Sequence, residues 1–262
     1  MSTSLSISGK IFLVLCRVFS VPLAVIHQFF LVTGVLDIPV AVTEAPGGIS
    51  INLQKIWYAR LLKKVVSLWV RSPFRHTAYR LVHFDFEIPA GRGLILATCH
   101  TPWKRLLVNW FYKNYYALII DTGRSVKRRS RLRDSRRGNN EMARLVRYLK
   151  QGGTVIIAAD NFDQSDKHPA RMMGKSGNLS RLPARLSRIA GVPLLAAIPQ
   201  LRKDGIHIYA GPQYTPPAME SESGSMMQSL LIYFETEIKK DPSIWSYFVN
   251  DPLSHYHKKI IR

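Results

Sequence analysis

Short continuous apolar runs alternate along the chain with segments whose apolar residues recur every three or four positions. After the turn at residues 89–93, Leu94–Thr98 is an uninterrupted apolar run, the pattern of a strand buried on both faces. Residues 103–112 carry helical spacing, 117–120 read as a second strand, Asn140–Lys150 as a helix and 154–159 as a third strand. Residues 181–190 and 194–198 repeat the helix-then-strand order. This alternation predicts an α/β domain with a mostly parallel central sheet flanked by helices. Ligands of such sheets favour the carboxyl ends of the strands, where His100, Asp121 and Asp160 fall. Further on, Lys203-Asp204-Gly205 reads as a hairpin turn, 213–225 as a Pro-, Ser- and Glu-rich loop, and 226–240 as a helix leading to Trp245.

The amino-terminal third has a different pattern. Residues 18–36 are nineteen uncharged positions, about the length that crosses a hydrocarbon core of roughly 30 Å, interrupted by Pro22, His27 and Gln28. They lack the cleavage pattern of a secretory signal, and the expectation is a membrane-associating helix, with a buried core helix as the alternative. In the next run Leu53, Trp57, Leu61, Val65 and Leu68 keep helical spacing while Lys55, Arg60, Lys63 and Lys64 interleave. That is a basic amphipathic helix, either lying in a membrane interface with Trp57 and Trp69 sunk into it or packed on the domain with a solvated basic face. Basic residues lie on both sides of the first stretch, which leaves the orientation of a span undefined, a contradiction that a monotopic anchor avoids. The expected organisation is therefore 1–72 as membrane-associating segments and 73–262 as the α/β domain.

Composition sharpens the choice of partner. The chain has 262 residues, 47% hydrophobic and 21% charged, and 37 basic against 17 acidic residues leave a net charge of +20. Such a field attracts lipid headgroups, nucleic acid or acidic carrier proteins. Eight basic residues crowd positions 124–137: Arg124, Lys127, Arg128, Arg129, Arg131, Arg133, Arg136 and Arg137. Arginine suits bidentate phosphate capture, and a solvated basic loop is the plain alternative. The run holds no aromatic and no helix-turn-helix, so nucleic acid is not the expected partner, although a salt-dependent retardation assay would expose it. Arg181 and Arg185, one helical turn apart, extend the basic face. Cys16 and Cys99 are too few for a disulfide framework or a four-cysteine metal site. His255 and His257 lack neighbouring cysteines or paired acids, so no metal is expected. P-loop, H-E-x-x-H and G-x-G-x-x-G motifs are absent.

Several stretches stand in a telling order: His100-Thr101-Pro102-Trp103-Lys104-Arg105, then Arg133-Asp134-Ser135-Arg136-Arg137-Gly138 leading to Leu145 through Gly153, then Ala159-Asp160-Asn161-Phe162-Asp163. Met172-Met173-Gly174, Leu182 through Pro193 and Asp241-Pro242-Ser243-Ile244-Trp245 follow. Over roughly residues 80–250 this order resembles the lipid A late acyltransferase family, within the lysophospholipid acyltransferase superfamily. The resemblance implies an α/β acyltransferase domain on the cytoplasmic face of a bacterial inner membrane. It implies transfer of a fatty acyl group from an acyl carrier protein or coenzyme A thioester to a hydroxyl of a lipid acceptor, with no cofactor beyond that co-substrate. In the family's H-x4-D/E motif the histidine takes the acceptor proton while the carboxylate fixes its tautomer.

The departure from that motif is at Arg105, which stands where the carboxylate belongs. Guanidinium only donates hydrogen bonds and keeps its charge, so it cannot orient an imidazole as a carboxylate does. If His100 is the base, the acid comes from elsewhere, and Asp160 and Asp121 are the candidates. Arg105, Arg124, Arg133, Arg136 and Arg181 would hold anionic parts of donor or acceptor. Cys99 beside His100 suggests thiol chemistry, but adjacent strand residues face opposite sides, so a small buried residue is the stronger reading. A non-catalytic member of the same fold that binds lipid or carrier protein is the rival expectation.

Overall fold

The computed structural model describes residues 42–45, 49–52, 56, 59–60, 62–64, 79–89, 91–115, 118–120, 140–161, 168–173, 175–202 and 205–246. Its centre is a six-stranded sheet built from β3 (Val82–Phe84), β4 (Leu94–Thr98), β5 (Leu118–Ile120), β6 (Thr154–Ala158), β9 (Leu194–Leu201) and β10 (Ile206–Tyr214), in the order β3-β10-β9-β4-β6-β5. Strands β9, β4, β6 and β5 run parallel, whereas β10 pairs antiparallel to β9 and parallel to β3. Two antiparallel hairpins lie outside it: β1 (Val42–Ala45) with β2 (Ile49–Asn52), and β7 (Pro169–Met172) with β8 (Lys175–Asn178). The helices described over their whole length are α1 (Lys104–Tyr115), α2 (Asn140–Lys150), α3 (Leu182–Ala190) and α4 (Glu222–Lys240), followed by a 3-10 turn at Pro242–Ile244.

Parallel strands covered on both faces need apolar residues at every position, and β4 and β6 each bury their first four residues. On one face Ile95, Ala97, Val155, Ile157, Leu194 and Ala196 pack against α2, α3 and α4 through Leu149, Leu186, Leu230 and Phe234. On the other, Leu94, Leu96, Ile156, Leu195 and Ala197 meet α1 through Leu106, Leu107 and Phe111. Pro199, within β9, lies past Ala196, the last β9 residue paired with β4, where its missing donor breaks no ladder on that side. Gly191 closes α3 in the left-handed conformation at φ 68°, its N–H donating to the Arg188 carbonyl while Val192 N–H donates to Ser187, a Schellman-type stop.

The segment read as a basic amphipathic helix is described only in part. Ile56, Ala59 and Leu62 are buried in the core while Arg60 and Lys64 are exposed, so these residues pack on the α/β domain with a solvated basic face. Leu53, Trp57, Leu61, Val65 and Leu68, and the whole stretch 18–36, lie outside the described residues. Among the described residues no helix is long and apolar enough to cross a membrane.

The order of connections places the site. From β4 the chain crosses α1 on one face to reach β5, then returns by α2 to β6 and by α3 past β4 to β9 on the opposite face. Right-handed crossovers require that change of face when the direction reverses. The strands β4 and β6, adjacent in the sheet, therefore send their continuations to opposite sides and leave a crevice beyond their carboxyl ends.

Candidate active site

Two residues beyond β4 stands His100, and two beyond β6 stands Asp160. Thr98 and Ala158 are register partners in the parallel ladder, and Ala159 N–H donates to the Thr98 carbonyl at 2.8 Å, so pairing continues past both strand ends. The register thus sets His100 and Asp160 side by side although sixty residues separate them.

Asp160 is 2% exposed, and a buried carboxylate is stable only when its oxygens are satisfied. Here His100 N–H donates to Oδ1 and Oδ2 at 2.9 and 3.0 Å, His100 Nδ1 meets Oδ1 at 2.7 Å, and Trp245 Nε1–H donates to Oδ2 at 2.7 Å. An ionised carboxylate only accepts, so Nδ1 carries the imidazole proton and Nε2 carries the lone pair. Each of these donors is neutral while the imidazole is neutral. Asp160 consequently keeps a negative charge beside the ring, which favours the imidazolium formed when Nε2 takes a proton.

Trp245 arrives from the carboxyl-terminal end. Asp241 stops α4, and its Oδ1 accepts from Ser243 N–H at 3.1 Å and from the Ser243 hydroxyl at 2.6 Å, folding the chain into the 3-10 turn that delivers the indole. Ser246 N–H then donates to the His100 carbonyl at 2.6 Å. The same short stretch therefore holds both the backbone of His100 and the carboxylate that orients its ring.

The His100 side chain is 21% exposed and lines a recess between α1 and the sheet. Thr98, Thr101 and Lys104, from the carboxyl end of β4 and the start of α1, line it with His100, and the rest of the lining is apolar, including Leu96, Leu107, Val108, Phe111, Ile156, Ala197 and Ile208. The recess is narrow, with a cavity volume of about 50 Å³. Its lining is apolar apart from these few polar groups, the chemistry of a surface that meets an aliphatic group rather than a charged one.

Of the sequence-predicted residues, His100 and Asp160 are brought together. Asp121, Arg124, Arg133 and Arg136 lie outside the described residues, as does the side chain of Arg105, the second residue of α1. Arg181 immediately precedes α3; it does not line the recess, and its guanidinium lies 3.9 Å from Glu220. Cys99 is 1% exposed and belongs to the core on the α2–α4 face, and burial, aided by the charge of Asp160, pushes its thiol up, so it stays protonated rather than serving as a thiolate. Trp245, Thr101 and Lys104 are the site residues that sequence reasoning did not single out. For Trp245 the signal was a tryptophan just after the helix stop Asp241-Pro242, with nothing local to say which side chain it would meet.

No protein-family model matches the chain, and no curated protein matches it. Among solved structures it is similar to the 1-acyl-sn-glycerophosphate (LPA) acyltransferase PlsC from Thermotoga maritima, with 12% sequence identity over 88% of this chain and 98% of that one, at a TM-score of 0.41. A likeness this remote bears on neither the chemistry nor the substrate, which rest on the residues above.

Proposed function

We propose that this protein is a membrane-associated acyltransferase that moves a fatty acyl group from an acyl carrier protein or coenzyme A thioester to a hydroxyl of a lipid acceptor of lipid A or lysophospholipid type, at the cytoplasmic face of a bacterial inner membrane. The observation that carries the reading is the 2.7 Å contact with buried Asp160 made by Nδ1 of His100, which itself lines an apolar recess. It supplies the carboxylate that Arg105 does not, and the order of motifs along residues 80–250 supports the same reaction class.

In this reading the acyl chain meets the apolar lining of the recess with its thioester carbonyl beside His100. The acceptor oxygen attacks the carbonyl carbon as His100 Nε2 takes its proton, and Asp160 stabilises the resulting imidazolium. The tetrahedral intermediate collapses, the C–S bond breaks, and the imidazolium returns the proton to the leaving thiolate. Acceptor and donor have then exchanged one acyl group for one proton, and the protein is unchanged.

The test is acyl transfer by the full-length protein in liposomes, offered labelled acyl carrier protein and coenzyme A thioesters with extracted lipid acceptors, beside His100→Ala. The expected result is labelled lipid from the parent and a loss of roughly 10²–10⁴-fold in the variant. Thioester that is bound but never transferred, with parent and variant alike, would overturn the reading in favour of a binding protein on this fold.

A further inference from the structure

Two threonines line the recess with His100, and their hydroxyls are spent differently. Thr98 Oγ1 donates to the neighbouring Cys99 carbonyl at 3.3 Å. Thr101 Oγ1 accepts from Trp103 N–H at 3.3 Å, and among the described residues its own O–H donates to none. Thr101 is 4% exposed. A buried O–H without an acceptor is an uncompensated cost, which an acceptor brought by a ligand removes.

The surroundings define that acceptor. Thr101 stands just before α1, where Lys104 N–H donates to its carbonyl at 3.2 Å and opens the first turn. The positive end of the helix dipole therefore lies at Thr101, and the first turn of α1 carries no acidic residue to offset it. Negative charge on an oxygen beside Thr101 meets both an O–H donor and the head of α1. The rest of the lining is apolar, which disfavours a ligand already charged on arrival and strengthens any interaction with charge that develops in place. A thioester carbonyl has this character: it is neutral when it binds, and its oxygen becomes anionic only as the acceptor adds to its carbon.

We infer that Thr101 is a further catalytic residue of this site, its hydroxyl donating to the thioester carbonyl oxygen as that oxygen becomes an oxyanion. The inference rests on the acyl-transfer reading. As the acceptor oxygen bonds to the carbonyl carbon, the carbonyl π pair moves onto its oxygen, and it returns when the C–S bond breaks. Thr101 keeps its proton throughout, and the only proton that moves is the one His100 takes and gives back. Two consecutive residues thus divide the work, His100 on the proton of the acceptor and Thr101 on the charge of the carbonyl.

The experiment measures acyl transfer by the full-length protein in liposomes for the parent, Thr101→Val, which is close in shape but has no hydroxyl, and Thr101→Ser, which keeps one. Binding of a thioether analogue of the donor, with a methylene in place of the carbonyl, is followed beside it. Thr101→Val should lose roughly 10²–10³-fold in kcat, as the removal of one oxyanion donor does, with KM and thioether affinity within a few-fold of the parent. Thr101→Ser should stay within a few-fold in all three. Thermal unfolding reports separately on the lost contact with Trp103 N–H. A Thr101→Val rate within tenfold of the parent, a Thr101→Ser rate as low as that of Thr101→Val, or a loss that appears in thioether affinity instead of kcat would overturn the inference. Should Thr101→Val not fold, Thr101→Ala, too short to crowd the recess, is read in its place by the same criteria. Transfer that is lost in His100→Ala but kept in Thr101→Val removes Thr101 alone, whereas a parent that binds thioester and never transfers it removes the acyl-transfer reading and this role with it.

Discussion

Asp160 and Glu220 are two carboxylates held by several donors each, and they are held for opposite ends. Asp160 has a fully buried side chain whose partners are a backbone N–H, an imidazole N–H and an indole N–H, all neutral. Glu220 sits at the surface among guanidiniums, which neutralise it. Neutral donors stabilise an anion without cancelling its charge, so Asp160 can still favour a proton arriving on His100. Cationic donors cancel the charge, so Glu220 can tie α3 to the turn before α4 but has little field left for a neighbour. The nature of the donors, more than their number, separates a group that tunes chemistry from one that ties elements together.

Replacing each carboxylate by its amide tests that contrast most strongly. In Asp160→Asn the amide keeps an acceptor oxygen but loses its charge and presents its own donors to the imidazole, so the tautomer is no longer fixed; acyl transfer falls by roughly 10²–10⁴-fold. Glu220→Gln leaves transfer within a few-fold of the parent when substrate is saturating. Steady-state rates on both variants check this, and an Asp160→Asn enzyme near parental speed would remove Asp160 from the mechanism.

Stability gives the next largest effect. Asp160→Ala removes the acceptor of one buried and two partly buried donors and costs about 2–5 kcal/mol, whereas Glu220→Ala exchanges exposed ion pairs for water and costs about 1 kcal/mol or less. Trp245→Phe falls between, because it keeps the ring in its 4%-exposed place and removes only the N–H that meets Oδ2; the expected cost is about 1–3 kcal/mol. Denaturant unfolding orders the three variants. Trp245→Phe also lowers the rate at saturation more than it raises KM, as expected of a group acting through Asp160 rather than on substrate.

Much of this geometry was legible in the chain, in proportion to how local its causes are. The runs Leu94–Thr98 and Asn140–Lys150 carry their periodicity openly and form the strand and helix expected. The polar stretch 213–225 is a loop only over 215–221, and both of its ends belong to regular elements. Tyr214 still belongs to β10, past a bulge between Ala210 and Gln213, and α4 begins at Glu222 with Ser223 and Gly224 buried in its first turn. Small and hydroxylic residues look like loop formers until a neighbouring surface covers them. At the site, the sequence puts both Asp121 and Asp160 at strand ends, but only sheet order and register show that β6 lies beside β4 in step with it. Trp245, eighty-five residues from Asp160, was beyond reach for the same reason. The missing carboxylate at Arg105 was visible at once, because a motif is a local object.

The smallest effect expected concerns acid. The hydrogen bond from Arg185, with the charges of Arg185 and Arg188, holds the Glu220 carboxyl below its ordinary value, against a weaker upward pull from burial. A carboxyl whose folded value lies below its unfolded one contributes stability that is complete above the unfolded value and is lost as pH falls through the folded one. The contribution of Glu220 should therefore be constant near neutrality and fade below about pH 4.5. Solvent screening at a side chain 40% exposed keeps it under about 1 kcal/mol. The measurement is the difference in unfolding free energy between parent and Glu220→Gln as pH is lowered, since other carboxyls titrate alike in both. Convergence of the two proteins in acid is expected, with Arg185→Ala shrinking the gap at neutral pH by removing the principal donor. A gap that instead stayed constant to the lowest pH at which both remain folded would mean that Glu220 acts through packing of the turn before α4, and that the guanidiniums of α3 are satisfied by something other than its charge.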